Sequence, residues 1–281
     1  MTTITDTFEL NNGLKMPKVG FGTWQTKPGK ETFDAVSNAL KAGYRFIDTA
    51  KAYQNEKSVG EAIAASDVAR EDLFVQTKLP GESKSYDQAM ADFDSSLKAL
   101  DLDYVDSYII HAPWPWAQMG TNHDAENRDV WRAMQDIYNS GRAKSVGVSN
   151  FNTHDLENLL NWDGLTVTPA VDQIQYYVGY TQDSIVKTAK DNGIVIQAYS
   201  PLATGDLVND PDLKRIAESY QVSVPQLALR FVIQNDIAPL PKARSMAHVK
   251  ANAELDFEIS DKDMAFLNQV AAVDHIHPVG D

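Results

Sequence analysis

The sequence predicts an α/β protein folded as a single eight-stranded (β/α)8 TIM barrel. Its 281 residues suit this fold, which typically needs about 250 residues. Eight short apolar runs alternate with longer amphipathic stretches, an order typical of a parallel sheet covered by helices. No low-complexity linker interrupts this pattern, so we expect one barrel domain over residues 1–281.

An N-terminal β-hairpin is expected before the barrel. Two short apolar segments, Phe8 to Leu10 and Leu14 to Met16, flank the turn Asn11-Asn12-Gly13. Asn-Gly favours the positive φ angles of a tight turn. We expect this hairpin to close the bottom of the barrel.

The barrel strands and helices are predicted from the apolar runs and the stretches between them. The predicted strands are Val19–Gly22, Arg45–Asp48, Leu73–Lys78, Val105–His111, Ser145–Ser149, Ala170–Gln175, Val195–Tyr199 and Ile237–Leu240. The predicted helices are Glu31–Lys41, Tyr86–Leu100, Val130–Asn139, Thr153–Asn161, Gln182–Asp191 and Leu213–Tyr220. Gly43, Gly141 and Gly193 stand where a left-handed residue ends a helix, and Ser85 and Thr153 are predicted N-caps.

The longest polar interruption, Ala112–Asn127, follows the fourth predicted strand. In a barrel this position lies on the catalytic face, where loops shape access to the site. Its Trp114 and Trp116 either line a pocket or anchor the loop, and the sequence leaves both interpretations open.

Composition argues against several classes of function. A formal charge of −14 argues against broad binding of nucleic acid or of anionic membranes, because both need clustered Lys and Arg. The absence of cysteine excludes disulfides, thiolate catalysis and cysteine-based zinc sites, and no metal site is predicted. The first residues lack the pattern of a signal peptide, and no run of 18 apolar residues occurs, so we expect a cytoplasmic protein.

Three ionisable residues stand at the ends of three successive predicted strands. These residues are Asp48, Lys78 and His111. Each is therefore expected at the carboxyl end of a barrel strand, where barrel enzymes keep their active sites. Tyr53 follows Asp48 by five residues, in a loop that can fold back over the same mouth.

These four groups predict a site that reduces a carbonyl. A free tyrosine has a pKa of about 10, and a nearby ammonium group from Lys78 is expected to lower it so that Tyr53 serves as proton donor. Asp48 would hold Lys78 charged, and neutral His111 would donate a hydrogen bond to the carbonyl oxygen. Taken singly, each residue is more often structural than catalytic. None of the four is a hydride source, so a nicotinamide cofactor is implied.

The segment around Tyr53 carries a distinctive motif. It reads Gly43-Tyr44-Arg45-Phe46-Ile47-Asp48-Thr49-Ala50, followed by Tyr53, Asn55-Glu56 and Val59-Gly60. This pattern resembles the signature of the aldo-keto reductase superfamily, and the likeness extends from Gly20-Phe21-Gly22-Thr23-Trp24 to the last helix. It is most similar to the bacterial branch typified by 2,5-diketo-D-gluconate reductases. The resemblance implies NAD(P)H-dependent reduction of aldehydes and ketones, with Asp48, Tyr53, Lys78 and His111 as the catalytic tetrad.

No Gly-x-Gly-x-x-Gly follows a predicted strand, so the sequence does not indicate a Rossmann cofactor site. The resemblance implies the cofactor positions instead. Ser149, Asn150 and Gln173 resemble the groups that bind the nicotinamide carboxamide, and Tyr199 resembles the aromatic that stacks on that ring. Ser200, Pro201 and Leu202 resemble the start of the pyrophosphate loop. The adenosine half would be held by Lys242, Ala243, Arg244, His248 and Asn252, and Gly22, Thr23, Trp24 and Asp48 complete the cofactor set.

Two departures from the family pattern concern cofactor preference. Ala243 stands where Ser or Thr is usual, and His248 stands where arginine is usual. The first removes a hydroxyl donor, and the second replaces a permanent guanidinium by a largely neutral imidazole. We expect NADPH to be preferred through Lys242 and Arg244, with NADH also used.

A small-molecule carbonyl is the expected substrate. By the resemblance, Trp24 forms one wall of its pocket beside Tyr53 and His111. Two aromatic positions of larger-pocket relatives are Pro80 and Ala112 here, so the wall is expected to be either more open or filled differently, in which case Trp114 is the candidate. His275 and His277, in the tail Asp274–Asp281, either reach the pocket or lie exposed.

Two other functions remain open from the residues alone. In a barrel aldolase Lys78 would form a Schiff base with its substrate. A redox-sensing, cofactor-binding subunit would keep the fold without turnover. The resemblance implies a monomer, because most members of the family are monomers, and no exposed apolar repeat argues otherwise.

Overall fold

Parallel strands form the centre of the molecule, as the alternating pattern predicts. The computed structural model describes residues 4–270. The hairpin strands are β1 Thr7–Glu9 and β2 Lys15–Pro17, and the barrel strands are β3 Phe21–Gly22, β4 Phe46–Asp48, β5 Phe74–Leu79, β6 Ser107–Ile110, β7 Val146–Ser149, β8 Val171–Gln175, β9 Val195–Tyr199 and β10 Ala238–Pro239. The predicted strands agree with these bounds within two residues.

The sheet is parallel throughout and curls on itself. Its hydrogen-bonded order runs from β3 to β10 without a crossover. Backbone hydrogen bonds from Gly20 N to Pro239 O, 3.1 Å, and from Gly22 N to Pro241 O, 3.0 Å, join the first strand to the last. The (β/α)8 barrel is therefore confirmed, and the carboxyl ends of its strands face one mouth.

The N-terminal hairpin covers the opposite end of the barrel. Leu10 and Met16 pack with Phe46, Phe74 and Ala170, which stand at or next to the amino ends of their strands. Asn11 and Asn12 donate hydrogen bonds to the carbonyls of Pro169 and Lys144, just before β8 and β7. The prediction that the hairpin closes the bottom is confirmed.

Helices surround the sheet and pack their apolar faces on it. They are α1 Lys30–Lys41, α2 Glu56–Ala64, α3 Tyr86–Leu100, α4 Asp124–Asn139, α5 Thr153–Leu160, α6 Asp183–Asp191, α7 Pro211–Ser219, α8 Val224–Gln234, α9 Met246–Ala251 and α10 Asp261–Leu267. Gly43, Gly141 and Gly193 have positive φ angles at the helix ends, as predicted.

Four of these helices are absent from the sequence prediction. Helix α8 is buried along most of its length, and its apolar residues form a nearly continuous run, which does not distinguish a buried helix from a strand. Helix α2 follows the Tyr53 segment directly, and α9 and α10 have only six and seven residues. Helix α4 begins at Asp124, so the loop after β6 ends at His123 and is shorter than the predicted Ala112–Asn127.

One predicted helix cap is wrong by a single residue. Thr153 is the first residue of α5, and Asn152 is its N-cap. The Asn152 side chain accepts a hydrogen bond from Asp155 N at 3.0 Å, and the Asp155 carboxylate accepts one from Asn152 N at 3.1 Å. An amide oxygen and a carboxylate therefore make the reciprocal capping box, and the Thr153 hydroxyl takes no part.

Membrane-spanning helices and metal sites are both absent from the part of the chain that the structure describes. Between residues 4 and 270, no helix has both the length and the apolar character to cross a membrane. The same range contains no cluster of three or more side chains suited to hold a metal ion. The predictions for His275 and His277 lie outside the described residues.

We expect Asn152→Ala to lower the free energy of unfolding by about 1 kcal/mol, because it removes the N-cap of α5. Thr153→Val, the matched control, replaces a hydroxyl that caps nothing by a methyl group and is expected to change stability far less. Urea unfolding of both variants measures the difference. Equal losses in the two variants would contradict the assignment of Asn152 as the cap.

Candidate active site

The barrel brings the four predicted catalytic residues to one mouth. Asp48 is the last residue of β4, Lys78 lies near the end of β5, and His111 directly follows β6. Tyr53 ends a short 3-10 turn over Lys51–Tyr53. Since parallel neighbouring strands end at the same edge, residues far apart in the sequence meet here.

Lys78 and Asp48 form a buried ion pair. The Lys78 ammonium donates to both Asp48 carboxylate oxygens at 2.7 Å and to Thr49 O at 3.0 Å. The Lys78 side chain has no exposed surface. Burial lowers the pKa of Lys78, and the Asp48 charge and hydrogen bond oppose that shift.

Tyr53 is the third member of this group. Its hydroxyl lies 3.3 Å from Lys78 Nζ, which confirms the predicted proximity. The expected lowering of its pKa is not found: burial, followed by the negative charge of Asp48, raises the pKa of Tyr53 well above its usual value. The physical reason is that Asp48 already neutralises the Lys78 charge, so desolvation of the phenolate dominates.

The Tyr53 turn is held in place by side chains on both sides. Lys51 pairs with Asp92 of α3 at 2.6 Å. Asn55, which is fully buried, accepts from the Thr49 hydroxyl at 2.8 Å and donates to Thr23 O at 3.0 Å. These contacts limit the positions that the Tyr53 ring can take. Asn55 belongs to the motif quoted above, but only the structure shows that it anchors the turn.

His111 is kept neutral by its surroundings. Burial, with a smaller contribution from the Lys78 charge, lowers the pKa of His111 to about 3. Its Nδ1 atom is buried and has no hydrogen-bond partner. Its ring lies 5.5 Å from the ring of Tyr53, and Asn150 Nδ2 donates to its backbone carbonyl at 2.8 Å. A neutral imidazole beside the phenol agrees with the sequence prediction.

Three glutamines form a floor beneath the ion pair. Gln76 Nε2 and Gln173 Nε2 donate to Asp48 Oδ1 at 2.8 Å and 3.2 Å. Both also donate to Gln197 Oε1, at 2.8 Å and 2.9 Å. The side-chain nitrogen of Gln173 donates to Asp48 and Gln197. The side-chain oxygen of Gln173 is therefore available to a ligand in the cavity, which Gln173 lines. Gln76 and Gln197 are site residues that the sequence analysis missed.

A cavity of about 650 Å³ opens above these groups. Among the predicted site residues it is lined by Gly22, Trp24, Asp48, Tyr53, His111, Ser149, Asn150, Gln173, Tyr199, Ser200, Pro201, Leu202 and Lys242. Trp116, for which the sequence leaves a pocket role open, also lines the cavity. The lining residues that were not predicted are Gln25, Ala52, Met119, Thr204, Gly205, Leu240 and Pro241. Most of the residues that the sequence predicts for the site therefore line this cavity, and residues that were not predicted form its outer wall.

The tryptophan at the cavity wall is Trp116, which corrects the prediction for Trp114. Trp116 is 38% exposed, lines the cavity and packs edge-on against His111 at 5.5 Å. Trp114 is only 5% exposed and supports Trp116 from behind, with ring centroids 5.1 Å apart. The alternation Pro113-Trp114-Pro115-Trp116 does not indicate which ring faces inward, because the path of the loop decides it.

Polar groups near the middle of the cavity are joined to one another. The Ser149 hydroxyl donates to Gln173 O at 2.7 Å, and Asn150 Nδ2 donates to Ser149 Oγ at 3.2 Å. The Tyr199 hydroxyl donates to Asn150 Oδ1 at 2.9 Å, which holds the Tyr199 ring at the wall. The structure thus brings these four predicted residues together.

Two cations lie at the far end of the cavity. Lys242 Nζ donates to Gln25 Oε1 at 3.2 Å and lies 6.0 Å from the centre of the Trp24 ring. Arg244 donates to Gln25 O at 3.4 Å and pairs with Glu31 at 3.2 Å. We call Gln25, Lys242 and Arg244 the basic end of the cavity. Arg244 lies beside the cavity and does not line it.

The remaining predicted residues stand further from the cavity. Those that do not line it are Thr23, Ala243, His248 and Asn252. Thr23 instead holds the backbone of Asp48, since its hydroxyl donates to Asp48 O at 3.0 Å. Ala243 is buried, and the His248 side chain is exposed on α9.

Comparisons with known proteins agree in the family they indicate. The model of the Aldo/keto reductase family matches residues 18–272. The chain is 37% identical to glyoxal reductase from Bacillus subtilis over 278 residues, covering 99% of this chain and 97% of that protein. It is 35% identical to glycerol 2-dehydrogenase (NADP(+)) from Saccharomyces cerevisiae, covering 95% of this chain and 91% of that protein.

A solved structure shows the same similarity in three dimensions. The crystal structure of an aldo/keto reductase from Brucella melitensis superimposes with a TM-score of 0.87 at 40% sequence identity. The match covers 94% of this chain and 99% of that one.

We expect His111 to make stability depend on pH between about 6.5 and 3. In this window the unfolded imidazole binds a proton that the folded protein does not, so the free energy of unfolding falls as the pH drops. The slope approaches about 1.4 kcal/mol per pH unit. Urea unfolding at several pH values measures it, and His111→Asn is expected to flatten the curve.

His154→Asn serves as the matched control for this measurement. His154 is an exposed histidine on α5. A parent protein and a His111→Asn variant with the same pH slope would show that His111 is protonated in the folded state.

Proposed function

The chain belongs to the aldo/keto reductase family, and from that membership we propose that it reduces the carbonyl group of aldehydes or ketones to an alcohol with a nicotinamide cofactor. It is an oxidoreductase of this family. The observation that carries the proposal is the convergence of the Lys78–Asp48 ion pair, the Tyr53 hydroxyl and neutral His111 at one cavity.

The cavity suits a nicotinamide cofactor on three grounds. Gln173 presents a carbonyl oxygen that can accept from a carboxamide N–H, and the Ser149 and Asn150 side chains lie beside it. The Tyr199 ring offers a flat wall for stacking. The basic end supplies positive charge for phosphate groups. When bound, the cofactor supplies the hydride that the protein side chains lack.

The chain's own residues then bind and protonate the substrate oxygen. Neutral His111 carries one N–H that can donate to the carbonyl oxygen. Tyr53 gives its proton to that oxygen as negative charge develops on it. Its pKa lies above the usual value near 10, yet an alkoxide is a far stronger base, since the conjugate acid resembles water with a pKa of about 15.7.

The ion pair supports this proton transfer. Lys78 lies 3.3 Å from the Tyr53 oxygen, so its charge stabilises the phenolate left behind. Asp48 and the glutamine floor hold Lys78 in place. Burial of the whole group strengthens each of these interactions, because little water screens them.

The same burial disfavours the aldolase alternative. Lys78 has no exposed surface and does not line the cavity. Its ammonium donates to Asp48 and Thr49, whereas a Schiff-base lysine must be neutral and reach its substrate. A redox-sensing subunit is also disfavoured, because it has no need for a proton donor poised in the cavity.

We propose that the substrate is a small, largely neutral carbonyl compound. Trp24 and Trp116, 42% and 38% exposed, form apolar walls of the cavity that Tyr53 and His111 also line. The Trp116 ring packs edge-on against His111. The likeness to 2,5-diketo-D-gluconate reductases stays a prediction.

NADPH is the proposed preferred cofactor, with NADH also accepted. Lys242 lines the cavity and supplies charge for a ribose 2′-phosphate. Ala243 has no hydroxyl to add, and the His248 side chain is exposed on α9. Both features agree with a preference weaker than a full set of donors would give.

We also propose that the chain acts as a monomeric, single-domain protein in the cytoplasm. Of the exposed large apolar side chains between residues 4 and 270, Trp24, Trp116 and Met119 line the cavity, which leaves Val208 and Phe266 outside it. This part of the chain therefore shows no broad apolar surface for a partner. The absence of cysteine suits a reducing compartment.

We expect Tyr53→Phe to lower the rate of carbonyl reduction by about 10²- to 10⁴-fold, because it removes the proton donor. Affinity for the cofactor should stay nearly unchanged. Consumption of NADPH with aldehydes, diketones, keto sugars and bulky ketones measures the rate, and titration of protein fluorescence measures the affinity. Tyr138→Phe, on the outer helix α4, is the matched control, and full activity in Tyr53→Phe would contradict the proposal.

We expect Trp116→Ala to raise KM for aromatic aldehydes roughly tenfold, since loss of about 60 Å² of apolar contact costs about 1.5 kcal/mol. The cofactor KM should change little. Phe266→Ala, which removes an exposed ring on α10 outside the cavity, is the control. An unchanged KM for every aldehyde tested would show that Trp116 does not contact the substrate.

A further inference from the structure

A carboxylate stands against the basic end of the cavity. Glu31 lies in the first turn of α1, and its Oε1 atom is 3.2 Å from Arg244 Nε. The Glu31 side chain is 30% exposed and that of Arg244 is 64% exposed. The Glu31 oxygen is buried and meets Arg244 as an ion contact without an aligned hydrogen bond.

Glu31 reduces the positive charge and the free N–H groups that the basic end presents to an anionic ligand. The guanidinium of Arg244 faces Glu31 at its Nε edge and Gln25 O on another nitrogen, at 3.4 Å. Lys242 is engaged with the Gln25 side chain at 3.2 Å. The two cations therefore carry an anion beside them, and the fork that would hold a phosphate in two parallel bonds is partly occupied.

We propose that Glu31 is a specificity-determining residue that weakens binding of a ribose 2′-phosphate and so allows the chain to use NADH. The inference rests on the proposed function, because it places the adenosine half of the cofactor at the basic end. A 2′-phosphate carries between one and two negative charges and is repelled by Glu31. A 2′-hydroxyl is neutral and can donate a hydrogen bond to the same carboxylate.

Glu31→Gln tests this role with ligands that lack nicotinamide. The probes are 2′,5′-ADP, which carries the 2′-phosphate, and 5′-AMP, which has a free 2′-hydroxyl. We expect Glu31→Gln to bind 2′,5′-ADP about fivefold more tightly, a size set by a charge repulsion over several ångströms in partly screened solvent. Affinity for 5′-AMP should stay the same or weaken slightly. Calorimetric titration measures both dissociation constants.

Asp34→Asn is the matched control, because it removes the same charge from the same helix. Asp34 pairs with Lys30 and does not touch Arg244. We expect it to change neither dissociation constant by more than about 1.5-fold. The gain in Glu31→Gln should shrink in 1 M NaCl, where charge interactions are screened.

The same shift should appear in the whole cofactor. The ratio of the NADH to the NADPH dissociation constant should rise about fivefold in Glu31→Gln, and the ratio of the NADPH to the NADH catalytic efficiency should rise with it. Undetectable turnover with NADH in the parent protein would contradict the dual use of cofactors and this role of Glu31.

Three results would overturn the inference while leaving the proposed function intact. These are equal affinity of the parent and Glu31→Gln for 2′,5′-ADP, an equal gain in Asp34→Asn, and an equal gain for 5′-AMP. A parent protein that binds neither NADPH nor NADH would instead overturn the proposed function, and this inference with it.

Discussion

Lys78 carries its ammonium group into the barrel interior, where a charge without a partner costs several kcal/mol. Asp48 supplies both carboxylate oxygens at 2.7 Å, and Thr49 adds a backbone carbonyl. The parallel register of β4 and β5, which sets Asp48 opposite Gln76, brings these groups together. Removal of either charge would leave the other buried and unpaired. The closed sheet therefore positions the two charges, and their pairing removes the cost of burying each of them inside that sheet.

The ion pair also sets the electrostatics of its neighbours. The Lys78 charge adds to burial in keeping His111 neutral, so His111 can act as a hydrogen-bond donor without carrying a charge. The Tyr53 hydroxyl lies 3.3 Å from the ammonium, yet burial and the opposing charge of Asp48 raise the pKa of Tyr53, and the phenol keeps its proton. A protonated phenol beside a paired cation can release its proton when a stronger base forms next to it.

Away from the ion pair, contacts between neighbouring side chains shape the cavity. Trp116 provides an aromatic wall against His111, and Trp114 packs against the Trp116 ring. At the basic end, Glu31 stands against the cation Arg244. By our proposals the first feature bears on the choice of substrate and the second on the choice of cofactor, and neither touches the Lys78–Asp48 pair. The two choices would then vary while the ion pair and Tyr53 stay the same.

The sequence alone determined the barrel, the hairpin beneath it and the meeting of Asp48, Tyr53, Lys78 and His111, because alternating apolar runs decide which strand ends share an edge. It did not determine the direction of the Tyr53 pKa shift, since that depends on burial and on how fully Asp48 neutralises Lys78. It left open whether Trp114 or Trp116 lines the cavity, because the path of the loop decides which ring faces inward. It also missed Gln76, Gln197 and Glu31, because each of them contacts a side chain that is distant in the chain and that only the fold brings near.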